Sequence, residues 1–329
     1  QDAQSLARML AGYVNNPNVA GATVLSLGCQ NLEIDIFKEA LSKLQAGNKK
    51  PVLIYDQQTE GTVNAFLSKI IKNSFEEIKK ANLIERSPAP LTKLTIGLEC
   101  GGSDGFSGIT ANPPLGHVSD ILSDLCGKSI LAEFPELAGV EQELVNRCAT
   151  APLASKFLDL MKQYEKAAAK VGSGFDMNPS PGNIKDGLIT DAMKSAGAAK
   201  KSGNAPITDV LDYTEYAKKA GVSLLCTPGN DVESTTALAG SGANIILFTT
   251  GLGTPTGNPI TPVIKISTNS ILTQKMSDII DFDCGTIITE RRSLEEVGDA
   301  LLEYIINVAS GIEIPKAVQL RQNDFIPWK

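Results

Sequence analysis

Residues 94–116 read LTIGLECGGSDGFSGITANPPLG. An apolar run ends in Glu99 and Cys100, and a glycine-rich stretch carrying Asp104 follows at once. A thiol and carboxylates at a strand end suit two chemistries, ligation of a divalent transition metal or proton transfer. The plainer alternative for Cys100 is a small core residue, the usual fate of a free cysteine. Cys29 ends a similar run in SLGCQN, and Glu133 and Glu136 flank a proline just after another run, in AEFPELAG. Cys126, Cys148, Cys226 and Cys284 lack that setting and read as structural.

Gly101, Gly102, Gly105 and Gly108 permit positive φ and close backbone approach, so their N–H groups can face an anion. GGSDGFSG does not match the dinucleotide pattern GxGxxG, and GLGTPTGN at 251–258 lacks the Lys-Ser or Lys-Thr of a P-loop. Each is either a grip for carboxylate and hydroxyls or a turn with no ligand. His117 is the one histidine, so these residues hold neither a His-rich metal site nor a two-His hydrolase. It follows ANPPLG, where it is either a proton donor and acceptor or merely exposed. NPSPGN at 178–183, followed by Lys185, places amides and a cation on a constrained loop. Lys194, Lys200 and Lys201 are candidates for binding an anion, with a solvated surface as the default. Lys265 lies inside the apolar run VIKI, and a buried lysine is costly unless paired.

Strands must carry these groups. Apolar runs at 20–27, 51–55, 94–98, 129–132, 222–226, 243–248 and 263–266 are nearly continuous rather than alternating, which predicts parallel sheets covered on both faces. Helical spacing covers 34–44, 62–81, 115–127, 136–147, 152–171, 231–241 and 293–310. The expected fold is α/β, mostly parallel with Rossmann-like layers, in two lobes divided near SPAP at 87–90. Residues 1–88 form the smaller lobe, incomplete at its start, and 89–329 the larger lobe with the glycine-rich loops. Residues 172–203 read as an ordered functional loop with one short helix. Five polar loops, GCQN, ECGGSDGFSG, EFPE, CTPGND and TTGLGTPTGNP, follow strands and are expected at one sheet edge, where open parallel sheets bind ligands.

The 329 residues are 42% hydrophobic, enough for a sizeable core, and their net charge of −7 argues against a nucleic-acid partner. No run reads as a membrane span or signal peptide. Six cysteines without a CxxC suit a reducing cytoplasm rather than a disulfide framework. The chain begins at Gln1 rather than Met, as part of a longer protein would.

Taken in order, CGGSDGFSGITANPPLG, LAEFPELAGVEQEL, NPSPGNIKDGL, FTTGLGTPTG and PVIKISTN resemble the carboxy-terminal region of the altronate and galactarate dehydratase family, with the altronate branch nearer. Sulfolactate sulfo-lyase large subunits belong to the same wider family. The resemblance implies a hydro-lyase that removes water from a sugar acid such as D-altronate to give a 2-keto-3-deoxy acid. It also implies a divalent metal, Fe(II) with Mn(II) as alternative, in preference to an iron–sulfur cluster. His117, Asp104 and Lys265 are then the catalytic candidates, and Cys100, Cys29 and Glu133 the metal ligands. Gly101, Gly102, Ser103, Ser107, Asn112, Asn183, Lys185, Thr249, Thr250, Gly251, Thr254 and Asn269 are the candidates to hold substrate. The implied partners are the sugar acid, an amino-terminal region of the same enzyme and, for assembly, a second copy. The competing reading is a small-anion-binding α/β module without chemistry.

Overall fold

The computed structural model describes residues 2–44, 50–59 and 61–328. Two parallel sheets organise them. β1 (Ala22–Ser26) and β2 (Val52–Asp56) pair in parallel beside the helices α1 (Asp2–Asn15), α2 (Ile34–Leu44) and α3 (Val63–Ala81). Ala11 and Val14 of α1 close a small core with Phe37 and Leu41 of α2. The same helix also joins the larger sheet's layer: Gly12 lies against Gly240, and Asn16 Nδ2 donates to the carbonyls of Ala239 and Ala243.

The larger sheet contains β3 (Thr95–Cys100), β4 (Lys128–Leu131), β5 (Ile207–Leu211), β6 (Gly221–Leu225), β7 (Ile245–Thr250), β8 (Val263–Ser267) and β9 (Phe282–Asp283). The order is β5-β6-β4-β3-β7-β8-β9, and every pairing is parallel. Its helices are α4 (Asn112–Asp124), α5 (Glu141–Arg147), α6 (Ala151–Lys170), α7 (Pro181–Lys185), α8 (Asp191–Lys200), α9 (Asp231–Gly240), α10 (Ser270–Lys275), α11 (Thr286–Thr289), α12 (Leu294–Ser310) and α13 (Lys316–Gln319). Strand periodicity assigns the faces. Ile96 and Leu98 pack with Leu115, Phe157 and Leu301 on one side of the sheet, whereas Ile246 and Phe248 pack with Leu238 and Ala317 on the other. Glu99 and Cys100, adjacent in sequence, therefore leave β3 toward opposite faces.

The chain leaves β3 toward β4 and leaves β7 toward β8, so the loops after these two neighbours diverge. That divergence opens a crevice at the carboxyl end of β3. The α/β expectation with helices on both faces is what the structure shows. Residues 84–90, around the SPAP stretch, carry neither helix nor strand.

Several elements differ from expectation. The helix expected over 136–147 is a 3-10 turn (Phe134–Leu137) followed by α5, because Gly139 takes φ 92° between them. The segment 172–203 holds α7, α8 and a further 3-10 turn at Phe175–Met177 rather than one short helix. Four of the five polar loops follow strands of the larger sheet, but GCQN follows β1 in the separate two-stranded sheet. No helix among the described residues is long and apolar enough to cross a membrane.

Candidate active site

A cleft of about 420 Å³ lies over the carboxyl end of β3, lined by Cys100, Gly101, Glu133, Glu136, Lys194 and Asp231 among others. Each element delivers its group for a local reason. Cys100 is the last residue of β3, and its backbone N–H donates to Glu133 Oε2 at 3.0 Å. Glu133 follows β4 in the left-handed region at φ 67°, a costly conformation outside glycine, and its N–H is held by Thr227 Oγ1 at 2.8 Å. That turn aims Glu133 back across the strand ends, and Glu136 follows on the 3-10 turn. The Cys100 thiol donates to Glu136 Oε2 at 2.9 Å, and Ser103 Oγ reaches Cys100 Sγ at 3.4 Å.

The cations come from α8. Its packed face is Ser195, Gly197, Ala198 and Ala199, and Gly197 meets Gly108 so closely that a Cβ on either would sit about 3 Å from the other's Cα. This close crossing brings Lys194 Nζ to 3.0 Å from Glu136 Oε1. Lys201, just past the helix, is fully buried, with Nζ 3.4 Å from Glu133 Oε2 and 3.6 Å from Glu136 Oε2. Lys194 also donates to Asn178 and Asn183, and Asn183 Nδ2 ties the segment to the Ser103 carbonyl at 2.8 Å.

Burial and charge set the protonation states. Burial, then repulsion from Glu136, raises Glu133 to about 7 against the pull of Lys201. Burial also pushes Glu136 up, but Lys194 and Lys201 outweigh it and hold the group below the usual carboxylate range. Burial keeps Cys100 a thiol, with Glu133 and Glu136 adding to the effect. Burial would lower Lys201, yet the acidic groups around it, Glu133 and Glu136 nearest, hold the ammonium well above the lysine norm. The cluster thus contains a fixed cation, a fixed anion and a carboxyl poised near neutrality, which is the arrangement acid–base chemistry uses.

Whether these residues suit a divalent cation follows from the donors present. Cys100, Glu133 and Glu136 offer ligand atoms within 4.8 Å of one another, as do Glu99, Glu133 and Asp231. Glu99 is fully buried, and its Oε1 has no hydrogen-bond partner. Thiol and carboxylate donors around an unsatisfied buried oxygen fit a divalent transition metal.

Of the residues singled out from sequence, the cleft brings together Cys100, Glu133, Glu136, Gly101, Gly102, Ser103, Asn183 and Lys194. The others stand elsewhere. Cys29 is exposed after β1 and belongs to neither donor group. His117 points from α4 toward α12, paired to Asp299 at 2.9 Å, because Gly298 leaves room for its ring there. Asp104 is consumed as a fastener, accepting from Phe106 N–H, Ser107 Oγ, Thr268 Oγ1 and Asn269 Nδ2. Thr249 and Asn112 bond each other, and Thr250 Oγ1 accepts the N–H of Gly253 at 2.8 Å. Gly251 packs on the Asp104 side chain, Thr254 stands beside Gly102, and Lys185 is exposed. Lys265 is fully buried below the cleft, its Nζ 3.5 Å from the centroid of the Phe248 ring. Sequence reasoning left out Asp231, whose first-turn helix position reads as an ordinary solvated acid; it named Lys194 and Lys201 as candidates for binding an anion but took a solvated surface as their default. The small-residue face of α8 was the available signal for the two lysines.

A family model described as D-galactarate/Altronate dehydratase, C-terminal, matches residues 91–329. A second, described as D-galactarate dehydratase/Altronate hydrolase, second domain, matches residues 1–82. The altronate dehydratase of Bacillus subtilis (strain 168) is 39% identical over 324 residues, 98% of this chain and 63% of its own length. That of Escherichia coli (strain K12) is 35% identical over 96% of this chain and 62% of its own length. The galactarate dehydratase (L-threo-forming) of Escherichia coli (strain K12) is 34% identical over 90% of this chain and 57% of its own length. The chain thus spans less than two thirds of each of these relatives.

Proposed function

The chain belongs to the D-galactarate/altronate dehydratase family, and on that premise we propose that its cleft is the substrate site of a sugar-acid hydro-lyase. The observation that carries this reading is the meeting of Cys100, Glu133, Glu136 and Lys194 in one cleft at the carboxyl end of β3. The substrate is D-altronate or a close relative, and the product a 2-keto-3-deoxy acid. Galactarate and sulfolactate are the alternative substrates. The smaller lobe, residues 1–88, and the larger lobe, 89–329, act in this reading as parts of one enzyme, completed by the amino-terminal region that its longer relatives imply.

Lys194, at the cleft wall, pairs with the substrate carboxylate. Glu133, the carboxyl poised near pH 7, takes the proton α to that carboxylate. The Gly101 N–H is spent on the Thr249 carbonyl, which leaves the Gly102 N–H as the backbone donor for the developing oxyanion, since donors fixed in a site of low polarity stabilise new charge strongly. The Cys100 thiol and the Lys194 ammonium are the proton donors nearest the departing β-hydroxyl. Glu133 with Cys100 and Glu136, or with Glu99 and Asp231, would hold a divalent metal, Fe(II) first and Mn(II) second. When bound, that ion would polarise the substrate carboxylate and offset enediolate charge. A single cysteine in the cleft argues against an iron–sulfur cluster, which takes several thiolates.

The test is 2-keto-3-deoxy acid formation from D-altronate, galactarate and related sugar acids, with and without Fe(II), in the protein at its full natural length. Turnover of at least one sugar acid supports the reading. Tight binding of sugar acids without turnover would favour the non-catalytic module, and sulfite release from sulfolactate would favour the sulfo-lyase.

A further inference from the structure

Glu133 belongs to two donor sets that lie on opposite faces of the sheet. The set on the Cys100 face is already neutralised, since Lys201 stands 3.4 Å from Glu133 Oε2 and 3.6 Å from Glu136 Oε2, and Lys194 stands 3.0 Å from Glu136 Oε1. The Cys100 thiol spends its proton on Glu136 as well. The other set is different. Among the described residues, neither Glu99 nor Asp231 has an ammonium within ion-pair distance. Ser234 Oγ donates to one Glu99 oxygen, but Oε1, fully buried, meets no donor.

The counter-ion that the sheet offers is turned away. Glu99, Phe248 and Lys265 occupy one row across β3, β7 and β8, because Glu99 registers with Phe248 and Phe248 with Lys265. The Phe248 ring stands between the Glu99 carboxyl, which burial pushes well above the usual carboxylate range, and the Lys265 amine. Lys265 Nζ lies on that ring at 3.5 Å and has no hydrogen-bond partner. Asp231 caps the opening: it lines the cleft, and its Oδ2 lies 2.5 Å from where a Cβ on Gly101 would project, beside the Phe248 ring. Three acids thus converge beneath a glycine, in a place reached from the cleft; Glu133 alone of them has an ammonium at ion-pair distance, Lys201, and one Glu99 oxygen is orphaned.

We propose that Glu99, Glu133 and Asp231 form a divalent-cation site of oxygen ligands only, at the floor of the cleft, and that the neighbouring thiol set is not the metal site. Carboxylate oxygens favour hard or borderline ions such as Mn(II) and Fe(II), whereas a thiolate set would favour softer ones. The site deepens the hydro-lyase reading and rests on it for the use of the metal, not for its binding. A cation here would face the substrate from below while Lys194 faces it from the wall.

The experiment is titration of the chelator-treated 329-residue chain with Mn(II) alone, following free Mn(II) by electron paramagnetic resonance. The expected result is one Mn(II) per chain, with affinity at least tenfold weaker in Glu99→Gln and in Asp231→Asn and within threefold of wild type in Cys100→Ser. Asp231 lies at the cleft surface, so D231N decides the matter where E99Q fails to fold. Weakened binding in C100S with E99Q and D231N unaffected would move the metal to the thiol set, and no Mn(II) bound by the wild type would remove the site. Mn(II) bound as expected, without turnover of any sugar acid, would leave the site standing and count against the hydro-lyase reading alone.

Discussion

Lys201→Met tests the electrostatic core of the cleft. Lys201 has no exposed surface and faces two buried carboxylates at 3.4 and 3.6 Å. Methionine fills a similar volume, so the change removes a charge with little loss of packing. Removing one partner of a buried pair costs about 3–5 kcal/mol, because the remaining charge is left uncompensated in a site of low polarity. A typical fold is stable by only about 5–15 kcal/mol, so the loss is large. Its pH dependence is the sharper signature. Lys201 holds its proton well above the usual lysine range, so its contribution is fully present at neutral pH and is lost only in strong alkali. Glu133, already raised to about 7, rises further once the ammonium is gone and then takes up a proton near neutrality. The destabilisation in K201M should therefore be largest at pH 8 and shrink toward pH 5.5. Trp328 is the one tryptophan and stacks on Tyr164 of α6 at 5.3 Å, so its fluorescence in urea titrations reports unfolding of the larger sheet. A loss below about 1 kcal/mol, or one of equal size at pH 5.5 and 8, would refute the charge-pairing argument.

Further outcomes follow from the same geometry. Lys265→Met should stabilise the protein at pH 7 by at least about 1 kcal/mol, because an unpaired buried ammonium gives way to an apolar chain. Burial lowers Lys265 to about 7, below its unfolded value, so wild-type stability should rise between pH 7 and 10 and that rise should vanish in K265M. Denaturant midpoints across that range check both statements. Asp104→Ala should cost about 2–4 kcal/mol, since four donors lose their acceptor, and should lower kcat only by loosening the loop. An unchanged melting temperature with activity abolished would instead make Asp104 a reacting group. Lys194→Ala should raise KM for sugar acids more than it lowers kcat, and equal effects on both would speak against its role as carboxylate anchor.

The sheet was readable because its central strands are covered on both faces and so appear as unbroken apolar runs. β5 went unread because Thr208 and Asp209 interrupt ITDVL on an edge strand with less to bury. Cys100 and Glu133 were legible as groups at strand ends, where an open parallel sheet exposes its ligands. Cys29 occupies the same place in the local text, yet its strand pairs in a different sheet, and local sequence carries no record of that. His117 misled for a related reason: nearness along the chain to the glycine loop is not nearness in space, since α4 turns its ring toward α12. Lys194 and Lys201 were named only as candidates for an anion, with a solvated surface as the default, because a helical lysine is usually solvated and the Gly108–Gly197 crossing that buries them is not legible in local sequence. Lys265 was rightly seen as odd for a buried strand, but its direction depends on the row it shares with Phe248.

The central claim is that the groups that act are those at the end of β3, not the histidine of α4. Its most direct test compares kcat/KM for D-altronate, in the presence of Fe(II) and at full natural length, among wild type, Glu133→Gln and His117→Ala. Glu133 serves both as base and as a ligand of the proposed cation, and loss of a positioned general base alone lowers the rate by about 10²–10⁴-fold, so E133Q should fall at least that far. H117A should stay within about threefold, since a part-exposed pair with Asp299 contributes little. Near-normal turnover in E133Q together with collapse in H117A would contradict the account.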